Sequence, residues 1–127
     1  MHIPDAFLNG PTMAGCGAVA VAGLGAATWV ARRTLEPSRI PMLGVMAAAI
    51  FAAQMVNFPV AGGTSGHLIG STLAAVVLGP WAAAIVMSAV LIIQCLLFSD
   101  GGIMALGANV LNMALVATAV GYLVYRA

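Results

Sequence analysis

The chain has 127 residues, of which 63% are hydrophobic and only 6% charged, with a formal net charge of +1. Soluble domains carry about 25% charged residues, so this composition excludes an ordinary soluble protein and indicates an integral membrane protein. With four arginines and no lysine, there is no basic stripe to hold phosphate, and nucleic acid is excluded as a partner.

The first residues, Met-His-Ile-Pro-Asp, carry no positive charge, and the arginines come after the first apolar run. A secretory signal needs the reverse order, so no cleaved signal is expected. Bacterial methionine removal requires a small second residue. Met1 is therefore expected to stay, with a free amine.

Five apolar segments follow, at about 12–31, 40–58, 66–78, 81–98 and 103–125. The first, second, fourth and fifth approach the roughly 20 residues that a membrane span needs. The third has 13 residues and, at about 1.5 Å per residue, is too short to cross. The preceding stretch 59–65, Pro-Val-Ala-Gly-Gly-Thr-Ser, is thus expected to dip into the membrane. Irregular backbone is tolerated there only where protein buries it or it lines a cavity. Thr64 or Ser65 is expected to cap the third helix, and Ser99 or Asp100 the fifth. Pro80 should close the third helix and open the fourth. The predicted fold class is all-α: one polytopic transmembrane bundle of about five helices, forming a single domain over residues 1–127.

Arginine bias sets an expected orientation. Arg32, Arg33 and Arg39 lie between the first two helices, which makes that loop cytoplasmic and the amino terminus external. Counting onward puts Gly79-Pro80 inside, Ser99-Asp-Gly-Gly102 outside and Arg126 inside. Localisation is therefore a bacterial or archaeal cell membrane, crossed several times. Small-residue stripes at Ala14, Ala18, Ala22 and Ala26, and at Gly66, Gly70 and Ala74, suit either internal packing or a partner-subunit surface. Cys16 and Cys95 form no Cys-x-x-Cys pair and read as small apolar packing residues.

His2 and His67 are the chain's two histidines, and the topology puts both on the external face. A free amine followed by histidine offers three nitrogens in series: the Met1 amine, the His2 amide and the His2 imidazole. His67 can add a fourth. Such a nitrogen plane suits Ni(II) or Cu(II) and, with looser geometry, Co(II). Either histidine could instead be a terminal or helix-start residue without a ligand role. Asn9, Gln54, Asn57, Gln94, Asn109 and Asn112 are polar groups in or beside spans, where such groups usually face the bundle interior. Asn57 and Asn109 lie toward the external ends and could steady the histidines or the terminal loop, or simply bond helix to helix. Asp5 and Asp100 read as caps or loop anchors before ligands. Ser65 and His67 make a poor hydrolase pair, with no third orienting group, and no phosphate-binding G-x-x-x-x-G-K-[ST] occurs. No catalytic residue and no resident cofactor is expected; if the chain drives transport, the energy must come from another subunit or an ion gradient.

Met-His-Ile-Pro-Asp with Phe7-Leu8, the segments at 39–44, 51–55 and 57–60, Gly-Gly-Thr-Ser-Gly-His at 62–67, and Asp-Gly-Gly at 100–102 resemble a known family. It is the substrate-capture membrane subunit (CbiM or NikM) of energy-coupling-factor nickel/cobalt transporters. The resemblance implies metal held by the Met1 amine, the His2 amide and imidazole, and His67. It also implies partners: a transmembrane coupling (T) subunit, cytoplasmic ATP-binding subunits that hydrolyse ATP, and a small accessory membrane subunit in many cases. Family members usually have glycine where this chain has Ala6, and typically seven helices, so the chain looks truncated at its carboxyl end. The expected function is the substrate-specific (S) component of an uptake transporter for divalent nickel or cobalt, not an enzyme. Alternatives are a structural membrane subunit without metal, or an external copper-binding membrane protein.

Overall fold

The computed structural model describes residues 2–60 and 64–127, with the backbone alone at Thr64 and Ser65. Helix α1 spans Gly10–Thr34, a short 3-10 turn Pro37–Arg39 leads into α2, Ile40–Met55, and a β-hairpin follows. Its strands, β1 at Phe58–Val60 and β2 at Thr64–Gly66, pair antiparallel, with Phe58 opposite Gly66. Helix α3 is Ser71–Leu78, α4 is Pro80–Phe98, and α5 runs Leu106–Arg126. Four helices (α1, α2 with its leading turn, α4 and α5) are long and apolar enough to cross a membrane. The chain is an all-α, multi-pass membrane protein.

Local chemistry accounts for most boundaries. Asn9 caps α1: its Oδ1 accepts from the Thr12 amide at 2.9 Å, and Pro11 sits in the first turn. Pro80 opens α4 directly after Gly79 closes α3, as the sequence indicates. Two expected caps are corrected. The third helix starts at Ser71, not Gly66; its cap is Gly70, in the left-handed backbone that glycine adopts freely (φ 80°), while residues 64–66 are strand. Neither Ser99 nor Asp100 caps the last helix. Ser99 instead ends α4 in a left-handed turn, and the cap of α5 comes from far away in sequence.

Helix α4 forms the centre of the bundle. Over half of its membrane window (56%) is buried, against 11% for α1 and for α2. Ala83, Met87, Val90 and Leu91 pack there with Ile50 of α2, Ala74 and Ala75 of α3, and Ala114 of α5. At eight residues, α3 is about 12 Å long and begins within the bundle. Its start is anchored by polar bonds. Residues Val110–Val116 of α5 form a π-helical segment, which offsets the carbonyl ladder. The Ser71 hydroxyl donates to the Met113 carbonyl within that segment. The Thr118 hydroxyl donates to the carbonyls of Ala114 and Leu115. Close passage of α3 by α5 needs Gly121, where a Cβ would strike the Thr72 side chain.

Of the two small-residue stripes, Gly70 and Ala74 are buried, whereas Ala14, Ala18, Ala22 and Ala26 are all exposed. The inner face of α1 is formed by Ala20, Ala27 and Ala31. The α1 stripe therefore contributes nothing to internal packing. At one end of the bundle the Arg39 guanidinium reaches the Val77 carbonyl at 3.5 Å, joining the α1–α2 link to the α3–α4 turn. At the other end the amino-terminal strap lies against the α4–α5 loop.

Candidate metal centre

The strap is held by its backbone. The Ile3 amide donates to Asn109 Oδ1 at 2.8 Å, and the Ile3 carbonyl accepts from Asn109 Nδ2 at 3.1 Å. The same carbonyl accepts from the Gly102 amide at 3.0 Å. Two residues on, the Asp5 carboxylate accepts from the amides of Ile103, Met104 and Ala105, at 3.2, 2.8 and 3.3 Å. Those amides are the free donors ahead of α5, and a negative charge there also complements the helix dipole. Asp5 thus caps α5 from almost a hundred residues away. Asn109 and Asp5 together fix where residue 2 lies.

The Asp-Gly-Gly loop at 100–102 is shaped to receive the strap. Gly101 has φ 101°, and a Cβ there would lie 3.0 Å from His2 Cβ and 3.3 Å from Asn109 Nδ2. At Gly102 a Cβ would overlap the Asp5 backbone amide and carboxylate. Backbone cannot yield as a flexible side chain can. We predict that Gly102→Ala releases the strap while the spans stay folded. Helical circular dichroism should be unchanged, and trypsin-independent cleavage or deuterium exchange at residues 2–6 should rise at least about tenfold, since the clasp bonds are worth about 1 kcal/mol each. Wild-type exchange in that variant would show that the strap does not depend on this approach.

His2 and His67 meet under the strap. Their rings stack with centroids 5.1 Å apart and planes inclined by 27°. His67 is 6% exposed and the His2 side chain 2%. The His67 Nδ1–H donates to the Leu68 carbonyl at 2.8 Å, which leaves a lone pair on Nε2. His2 Nδ1 lies 2.9 Å from Asp100 Oδ1. Among the described residues both Nε2 atoms are buried without a hydrogen-bond partner, and an unmet buried polar atom costs about 1–3 kcal/mol. Burial pushes the His2 imidazole below its ordinary value of 6.5, against the opposing pull of Asp100 through charge and hydrogen bond. At neutral pH the ring is therefore uncharged, the form that binds metal.

Gln54 and Gln94, both fully buried, support the His67 side. Gln54 Nε2 donates to the Ile69 carbonyl, and Gln94 Nε2 donates to Gln54 Oε1 at 2.8 Å. They tie the loop after His67 to α2 and α4. The sequence marks them as interior polar groups, but nothing in it links them to residue 69. Asn57 sits exposed just before β1, and no hydrogen bond joins it to either histidine among the described residues. Met1, with its amine, lies outside the described residues, as do positions 61–63. Ala6, where the resembled family has glycine, takes φ 69°, a strained backbone for a residue with a Cβ.

Among the described residues, no group of three or more His, Cys, Asp or Glu side chains is arranged to hold a metal ion. Side chains thus offer two imidazoles, and a four-nitrogen set would need main-chain nitrogen as well.

The family described as cobalt uptake substrate-specific transmembrane region, CbiM, matches residues 2–127. A protein of Archaeoglobus fulgidus, provisionally named fused nickel transport protein NikMN, is 51% identical over 127 residues, covering 100% of this chain and 42% of its own length. The cobalt transport protein CbiM of Sorangium cellulosum is 34% identical over 129 residues, covering 99% of this chain and 57% of its own length. A crystal structure of a truncated transition metal transporter superposes with a TM-score of 0.93 at 46% identity, covering 99% of this chain and 59% of the other. The chain spans roughly half the length of the relatives it matches. It belongs to the CbiM family.

Proposed function

We propose that this chain is the metal-capturing part of the substrate-specific component of an energy-coupling-factor transporter for divalent nickel or cobalt. The observation that carries it is the pair of stacked, buried imidazoles, one of them brought by the clasped amino-terminal strap, with His67 Nε2 bonded to no described residue. The metal is cargo, bound by the Met1 amine, the His2 amide and imidazole, and His67. A plane of nitrogens that includes a deprotonated amide favours nickel. The partners are a transmembrane coupling subunit, cytoplasmic ATP-binding subunits and an accessory membrane subunit; the chain itself catalyses nothing. The test is metal content and absorption spectroscopy of the purified chain with an authentic, untagged amino terminus. One Ni(II) per chain with a square-planar spectrum is expected. A chain that takes up no metal under these conditions is a structural subunit, and one that takes up only copper is not a nickel or cobalt carrier.

Binding should release protons. His2 is already neutral at pH 7, so the protons come from the amine, whose ordinary pKa is about 8, and from the amide. Calorimetry in buffers of different ionisation enthalpy should give about two protons per metal at pH 7, with affinity falling as pH drops. Affinity independent of pH between 6 and 8 would remove the amine and amide from the ligand set.

The orientation proposed is amino terminus and metal site outside, arginines inside. This is supported by the gathering of the α1–α2 link and the α3–α4 turn at the end opposite the strap, together with the arginine bias. Cysteines introduced at positions 5 and 36 should label from the external and cytoplasmic sides respectively. The reverse pattern would invert the topology.

A further inference from the structure

A histidine that binds metal together with its own amide nitrogen must use Nδ1. That closes a six-membered ring through Cα, Cβ and Cγ, whereas Nε2 lies farther round the imidazole and projects away. In this structure Nδ1 of His2 is not free. It lies 2.9 Å from Asp100 Oδ1, and Nε2 is the nitrogen without a partner among the described residues. A carboxylate beside a neutral imidazole fixes the tautomer, with the proton on the nitrogen that faces it. The two partners differ in freedom. The His2 ring is 2% exposed, boxed between the His67 ring and the Gly101 backbone, while the Asp100 side chain is 27% exposed. Only the carboxylate can leave the contact and be rehydrated at once.

We propose that Asp100 is a latch on the empty site: its carboxylate occupies the His2 nitrogen that the metal takes, and loading expels it toward solvent. On loading, the Nδ1–H bond breaks, the metal takes that nitrogen's electron pair, and the proton moves through water to Nε2, leaving the ring neutral. The latch holds the ring in place beside His67 while the site is empty, and it slows capture by the time needed to open it. This rests on the terminal chelate proposed above.

Two measurements test it. The first is nitrogen-15 spectroscopy of histidine-labelled wild-type protein before and after Ni(II), since square-planar Ni(II) is diamagnetic. His2 Nδ1 should be protonated when empty and metal-bound when loaded. The second is stopped-flow association of Ni(II) with Asp100→Ala. Removing the latch should speed association at least about tenfold, with an unchanged final absorption spectrum. Loss of a carboxylate near a cation site acts the opposite way through charge, so acceleration cannot come from electrostatics. Persistence of the Nδ1–H in the loaded protein, or association in Asp100→Ala no faster than wild type, overturns the latch while leaving the site intact. No response to Ni(II) at either histidine brings down the site itself, and the latch with it.

Discussion

His67→Ala should lower Ni(II) or Co(II) affinity by at least about 100-fold while leaving the empty protein folded. Loss of an outer partner of a metal ligand commonly costs 10–100-fold, and loss of a ligand should exceed that. The His67 ring is buried, its Nδ1 is spent on the neighbouring Leu68 carbonyl, and its Nε2 bonds to none of the described residues. Alanine therefore removes an unmet polar atom as well as packing, and the two effects on stability oppose each other. The anchors of the surrounding loop, Gln54 to Ile69 and Ser71 to Met113, do not involve the ring. His67→Asn should fail to restore binding, because its amide offers no comparable lone pair on nitrogen. The remaining three nitrogens should hold metal weakly, with a shifted absorption band. Melting and metal titration on one preparation decide the matter. A destabilised protein with wild-type affinity would make His67 a structural residue.

One residue added before Met1 should abolish tight binding, by at least about 100-fold, with both histidines still present. The strap cannot slide to compensate. Ile3 is clasped at both its amide and its carbonyl, and Asp5 is bound to three amides of the α5 start. With residues 3 and 5 fixed, an added residue turns the Met1 nitrogen into a peptide amide and carries the new amine about 3.8 Å farther along the chain, away from its place beside the His2 amide. The affinity should return when a cleavable tag is removed to leave Met1 first. Equal affinity in calorimetry before and after cleavage would show that the amine is not a ligand, leaving the His2 amide and the two imidazoles as the protein's contribution.

Much of this protein is determined by its sequence. Low charge and four long apolar segments force spanning helices, because a bilayer offers backbone groups no other partner. The 13-residue third segment is legible as a helix that cannot cross, since length alone decides it. His2 and His67 fall on one face by counting spans. Their contact, 65 residues apart in sequence, was settled only by packing: Asn109 and Asp5 reach back across the fold to fix the strap. Neither partnership leaves a local signal, because a cap supplied from a distant loop obeys no spacing rule. The expected caps at Thr64, Ser65, Ser99 and Asp100 follow sound local propensity, and tertiary contacts override them. A glycine took the α3 cap because the chain must turn sharply there, against Ile50. The π-helical segment of α5 and the pairing of Asp100 with His2 are likewise invisible in one dimension. Each depends on which polar groups meet once the helices are packed, where an unmet donor or acceptor costs more than an ideal helix is worth.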